Sequence, residues 1–186
     1  LAGCSGGNAA TAVSCASEQA TLSAPSIGPD SAPSVEIFVD WSCPHCRDYH
    51  EESTPALKEA ARDGQIQLVH RDFPLPVNGW SKPVAYLARA VQEQVGVDAF
   101  WDFADEAFAN QKSYSQDTLT RIATGVGLSQ SAVQQQLEET NYCQAVQADK
   151  QRGQDVGIDA TPKVYANETV YPGMPADQLL EEIQTE

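Results

Sequence analysis

At 186 residues, 41% of them hydrophobic and 8% aromatic, the chain has the apolar content of a globular protein and the length of one domain rather than two. Its 26 acidic residues outnumber the 11 basic ones and leave a net charge of -15, a field that repels nucleic acid and anionic lipid and excludes both as partners. No run approaches the ~18–20 apolar residues of a membrane span, and the acidity is spread along the chain, as on a surface adapted to high salt or on an ordinary secreted protein.

The chain opens with Leu1-Ala2-Gly3-Cys4, which has the form of a lipobox, the site where an exported precursor is cut and its cysteine lipidated. The alternative is a flexible Gly/Ser-rich tail with an incidental thiol at Cys4. Such an N-terminal lipid anchor is the one expected route to a membrane. Ala, Ser, Gly and Pro dominate to about Pro33, so residues 1–26 are expected to form a tether and 27–186 the folded domain. Val35 to Asp40, rich in β-branched and aromatic side chains, predicts the first strand. Cys43-Pro44-His45-Cys46 follows and runs into a helix from Pro44 to about Arg62, which Pro55 kinks or restarts with Thr54 as cap. Asp63-Gly64 ends it, and Gln65 to Phe73 predicts a second strand, parallel to the first.

A helical block, at about 78–156, comes next. Ser81-Lys82-Pro83 opens an alanine-rich helix to about Gln94, and Asp98 opens another whose Phe100, Trp101, Phe103 and Phe108 have core spacing. Asp117 to Gly125 predicts a third helix, and Ser131 to Gln134 has the form of a capping box opening a fourth. Asn141 to about Val156 predicts a fifth, ended by Gly157. Lys163 to Ala166 and Thr169 to Tyr171 then flank Asn167-Glu168 as a hairpin, and Pro175 to Ile183 closes with an amphipathic helix. The order βαβ, helices, ββα predicts an α/β, thioredoxin-like fold with a helical insertion between its two halves.

The chemistry is concentrated in Cys43-Pro44-His45-Cys46. Pro44 suits the first helical position, which puts Cys43 at the helix N-terminus, where unpaired N–H groups and the macrodipole favour an anion. A thiol so placed ionises at roughly 3.5–7.5 instead of ~8.5. Cys43 is therefore the expected nucleophile, a cationic His45 would assist it, and Cys46, a turn further in, is the resolving thiol. Two other readings of the spacing are half a zinc site and an inert structural disulfide. A second ligand pair is missing, since neither His50 nor His70 lies at ligand spacing, so no metal is expected. No cofactor is called for. Of five cysteines, setting aside Cys4 and this pair leaves Cys15 and Cys143. These are either a structural bridge, which implies an oxidising compartment, or two buried free thiols.

Several stretches resemble the DsbA-type thioredoxin-fold thiol-disulfide oxidoreductases: residues 27–33 before the first core strand, Asp40-Trp41-Ser42-Cys43-Pro44-His45-Cys46, His70-Arg71-Asp72-Phe73-Pro74-Leu75, and Gly157-Ile158-Asp159-Ala160-Thr161-Pro162. The resemblance implies that Pro162 is a cis-proline facing the cysteines and that Thr161 and Pro162 present backbone to an extended substrate peptide. One departure is that some relatives carry a buried acid six residues before the first cysteine, where this chain has Ile37. Asp40 is expected in its stead to assist proton transfer from Cys46. The resemblance further implies an exported enzyme, at the cell surface or in a periplasm-like space, that forms disulfides in cysteine-containing protein substrates and is recycled by a redox partner. The alternatives are a reductase or isomerase of the same fold, a metal-binding module using Cys43, Cys46 and His45 or His50, and a docking scaffold without catalysis.

Overall fold

The structure is a computed structural model that describes Cys15 and residues 22–139 and 141–185. Cys4, and with it the lipobox, lies outside the described residues. In chain order the sheet strands are β1 (Ser26–Ile27), β2 (Ser34–Val39), β3 (Gln67–Asp72), β4 (Lys163–Ala166) and β5 (Thr169–Pro172), arranged β1–β3–β2–β4–β5. The thioredoxin-like expectation is borne out. β2 and β3 run parallel, with Val35 opposite Leu68 and Val39 opposite Asp72, while β4 and β5 add an antiparallel hairpin to the other side of β2. Asn167 and Glu168 make the hairpin turn with φ of 47° and 59°, the left-handed pair that a two-residue turn of this hand requires.

Between β2 and β3 the chain forms α1 (Pro44–Glu52) and α2 (Thr54–Arg62). Pro55 lacks the N–H needed to continue α1, so the helix stops at Ser53, whose N–H still bonds Tyr49 O at 2.9 Å, and restarts. Between β3 and β4 stand α3 (Ser81–Gln94), α4 (Val97–Ala109), a 3₁₀ turn (Gln111–Ser113), α5 (Gln116–Gly125), α6 (Gln130–Glu138) and α7 (Cys143–Asp155), and α8 (Ala176–Thr185) closes the fold. Two local expectations need correction. The cap of α6 is Ser129, whose extended backbone lets its Oγ accept from Ala132 N at 3.2 Å, and Ser131 lies inside the helix. The tether boundary at residue 26 is also too late, because Ser26 and Ile27 pair with Val69 and Leu68, and Leu22 packs on the core. A two-residue strand is too short to show alternation, and only the edge of β3 supplies its partner.

Strand parity divides the interior. Val35, Ile37 and Val39 face a large core shared with α1, α2 and the helical block, whereas Phe38 joins Phe73 and Ile158 on the other face. There α7 approaches so closely that a Cβ on Gly153 would meet the Phe73 ring at 2.7 Å. A buried charge network pins the helices to the sheet. Arg89, fully buried, donates to Asp72 at 2.7 Å and pairs with Asp149, and Arg71 bridges Asp149 at 2.8 Å and Glu36 at 2.6 Å. Arg152 closes the set on Glu36 at 2.7 Å. Arg89, His70 and Trp41 hold the Asp72 carboxyl below the usual carboxylate range against the cost of burial. Cys15 and Cys143 are joined as a disulfide across 128 positions, with Cα atoms 5.5 Å apart.

Candidate active site

The active-site turn links the end of β2 to α1. Asp40 shapes it, since its backbone carbonyl accepts from Cys43 N at 3.1 Å and its Oδ1 accepts from Ser42 N at 2.6 Å, an Asx turn. Cys43 is the helix cap in extended conformation and Pro44 begins α1. The Cys43 carbonyl then accepts the first helical bonds, from Cys46 N at 3.1 Å and Arg47 N at 3.2 Å. Trp41, two residues before the cysteine, is buried, stacks on Phe108 at 4.9 Å and donates Nε1 to Asp72 at 2.7 Å. The turn therefore rests on the same carboxylate that anchors Arg89.

Cys43 and Cys46 are both free thiols, and Cys46 is the more deeply buried of the two. The Cys46 thiol donates to the Cys43 sulfur, and this is the largest of the effects that carry Cys43 down to about 5. Burial opposes the shift, while the N–H groups of Cys46 and His45 reinforce it. The Thr161 hydroxyl is buried and makes no hydrogen bond. Burial, followed by donation to Cys43, pushes Cys46 far above the ordinary thiol range. The two sulfurs of one motif are thus split into an ionised and a protonated partner.

The Thr161–Pro162 bond is cis, and the Thr161 carbonyl lies 3.6 Å from Cys43 Sγ. Beside them a groove of about 590 Å³ is lined by Tyr49, Ala56, Thr161, Pro162 and Met174 among others. Gly173 forms part of its wall because a Cβ there would come within 2.7 Å of Pro162 Cγ.

Two expected contributions differ in the structure. Asp40 continues the Glu36 and Phe38 face of β2, away from the face on which α1 packs, and its carboxylate is taken up by Ser42 N, Leu75 N at 2.5 Å and Ser81 Oγ at 2.8 Å. It meets Cys46 only through its backbone N–H, 3.4 Å from the sulfur. Its carboxylate is thus a brace for the turn, and the position that carries an acid in some relatives is filled by buried Ile37. His45 is exposed, and what it lends Cys43 is its backbone N–H rather than its ring. His50 bonds Asp105 at 2.7 Å and stacks on Phe108 at 4.6 Å, tying α1 to α4. Among the described residues no group of three or more His, Cys, Asp or Glu side chains is arranged to hold a metal. Arg89 and Gln111 escape sequence reasoning. The one available signal for Arg89 is a lone cation in the apolar run of α3, and Gln111 offers none.

A thioredoxin sheet that presents a Cys-x-x-Cys pair at a helix N-terminus, opposite a cis-proline, defines a thiol-disulfide oxidoreductase. Comparison with known proteins narrows this. The thioredoxin family matches residues 20–185. The probable disulfide bond formation protein D of Bacillus cereus is 31% identical over 156 residues, covering 76% of this chain and 69% of the relative. Its Bacillus subtilis counterpart, disulfide bond formation protein D, is 25% identical over 171 residues, covering 87% and 76%. In fold, the chain is similar to oxidised BdbD from Bacillus subtilis, with a TM-score of 0.77, 23% identity and coverage of 87% and 91%. It is similar also to Chlamydia trachomatis DsbA, with a TM-score of 0.78, 16% identity and coverage of 87% and 90%. The chain belongs to the thioredoxin family, among the DsbA-type thiol-disulfide oxidoreductases.

Proposed function

We propose that the enzyme is a dithiol oxidase that uses Cys43 as the exchanging sulfur and Cys46 as its internal partner, forming disulfides in exported proteins. The observation that carries the reading is Cys43 capping α1 opposite the cis Thr161–Pro162 bond, with three groups favouring its thiolate: the Cys46 thiol and the backbone N–H groups of Cys46 and His45. Each stabilises the thiolate of the reduced enzyme, so each makes the Cys43–Cys46 disulfide a stronger oxidant. In the forward reaction a substrate thiolate attacks Cys43 Sγ and the Cys43–Cys46 bond breaks. Its electron pair goes to Cys46, which takes up a proton. A second substrate thiolate then attacks the substrate sulfur of the mixed disulfide and expels Cys43 as a thiolate. The substrate is oxidised by two electrons and the enzyme is reduced. A sulfur of such low pKa is a good leaving group and a poor attacking nucleophile, which favours oxidation over reduction.

Thr161 and Pro162 receive the substrate backbone in this reading, supported by their place in the groove beside Cys43. The names of the relatives support disulfide formation, and the Cys15–Cys143 cross-link supports work outside the cytoplasm, since such bonds persist in oxidising compartments. The Leu1-Ala2-Gly3-Cys4 run supports a lipid-anchored form at the cell surface. The test is equilibration of the purified protein with glutathione, read by mass spectrometry of the cysteines, together with oxidation of a dithiol peptide. Cys43 and Cys46 should exchange and Cys43→Ser should abolish turnover; a Cys43→Ser enzyme that still oxidises the peptide removes the proposal.

A further inference from the structure

Gln111 lies in the 3₁₀ turn of the helical block, 68 positions from Cys43, yet its side-chain amide reaches the active-site turn. Nε2 donates to the Trp41 carbonyl and to the Cys43 carbonyl, each at 2.9 Å. An amide carries two N–H hydrogens, and here both are committed to the two carbonyls that bracket Ser42 and Cys43. The Cys43 carbonyl is the same oxygen that takes the first backbone bonds of α1, so Gln111 grips the hinge between turn and helix from outside. Tyr114 supports the turn as well, but through the Trp41 carbonyl only, at 3.2 Å.

The donors that favour the Cys43 thiolate include the N–H groups of His45 and Cys46, which belong to the first turn of α1. Their aim at the sulfur depends on how the Cys43 peptide is oriented, because Cβ and Sγ are carried on that unit. A tilt of this peptide moves the sulfur against its donors and against the Thr161 carbonyl. The amide hydrogens of Gln111 also place the positive end of a dipole next to the cysteine without adding a titrating group.

We propose that Gln111 is a positioning residue for Cys43, a clamp by which the helical insertion fixes the Trp41 and Cys43 carbonyls and so sets how strongly the thiolate is favoured. The inference rests on Cys43 being the reactive sulfur. It gives the insertion a part in the chemistry besides covering the sheet.

The experiment compares the parent with Gln111→Met, which keeps the length and loses the donors, and with Tyr114→Phe, which loses only the bond to Trp41. Thiolate absorbance at 240 nm is titrated in the reduced proteins, and each is equilibrated with glutathione. Gln111→Met should raise the Cys43 midpoint so that the thiolate is favoured about tenfold less, and should lower the oxidising equilibrium constant by about the same factor. Tyr114→Phe should stay within about twofold of the parent on the same scale. Thermal unfolding monitors the fold, and if Gln111→Met does not fold, Gln111→Glu, which replaces the donor with an acceptor, takes its place with the same expected direction. A Gln111 variant that titrates like the parent, or a Tyr114→Phe enzyme that shifts as far, overturns the inference while leaving the proposed function standing. A parent thiol that keeps its proton above neutral pH removes both.

Discussion

The backbone N–H of Asp40 lies 3.4 Å from the Cys46 sulfur, while the carboxylate of the same residue accepts from Ser42, Leu75 and Ser81. The two halves of one residue therefore do different work. The peptide touches the resolving thiol, and the side chain ties β2 to the start of α3.

Replacing that carboxylate should cost stability and leave proton chemistry alone. Asp40→Asn sets amide hydrogens where donors already converge, and should lose about 1–3 kcal/mol in urea unfolding. The pH-rate profile for dithiol oxidation should keep its midpoints. A profile displaced by a full unit would mean that the carboxylate exchanges protons with Cys46.

The excess stability of the reduced enzyme over the oxidised one should depend on pH with a definite sign. Cys43 titrates at about 5 in the folded dithiol, against ~8.5 for a free thiol in the unfolded chain. A lowered folded value contributes stability that is complete above the unfolded pKa and is lost as pH falls through the folded one. The gap between reduced and oxidised denaturation midpoints should therefore be widest near about pH 8.5 and should close progressively toward about pH 5; above about pH 8.5 it should narrow again, because folded Cys46, its pKa raised by burial, keeps a proton that the unfolded chain has lost. A gap that is constant across this window contradicts the assigned thiolate.

Arg89 is fully buried between Asp72 and Asp149. Arg89→Met removes the guanidinium shared by two buried carboxylates, leaving Asp149 with Arg71 and Asp72 with Trp41 and His70, and should destabilise the fold by about 3–5 kcal/mol in urea denaturation. Because Asp72 also receives the Trp41 indole, the variant should broaden the tryptophan environment seen by near-UV circular dichroism.

Gly173→Ala places a methyl group 2.7 Å from Pro162 Cγ. Overpacking of this kind costs about 1–3 kcal/mol, and here it bears on the wall of the substrate groove. Oxidation of a dithiol peptide should slow several-fold, while the Cys43 thiolate titration stays at its parental midpoint.

The Cys15–Cys143 bond closes a loop of 128 positions. Cys143→Ser should lower stability by about 2–4 kcal/mol, chiefly through the freedom returned to the unfolded chain. The thiolate titration should again be unmoved, since Cys143 belongs to α7 rather than to the active-site turn.

Much of this protein is readable from residue order because local chemistry dictates it. Pro44 after Cys43 starts a helix whose first N–H groups are free, Pro55 must interrupt it, and Asn167-Glu168 between β-branched runs must reverse the chain. The Cys-x-x-Cys spacing names the reactive sulfurs for the same reason: both lie on one turn, so no distant residue is needed to bring them together. Parity along β2 even predicts which side chains share a face. It holds at Asp40, which continues the Glu36 and Phe38 face, but it cannot reveal the donors to that carboxylate, because Leu75 and Ser81 come from segments 35 and 41 positions away.

What only the tertiary structure decides is everything that depends on long-range closure. Thr161 reaches Cys43 across 118 positions, Gln111 across 68, and Arg89 finds Asp149 across 60. Such contacts leave no periodicity to read, because the partners share neither a helix turn nor a strand ladder. The sequence by itself therefore determined the elements and the identity of the reactive pair. Packing determined how deeply Cys46 is buried, and with it the difference in acidity between two cysteines that are only one helical turn apart.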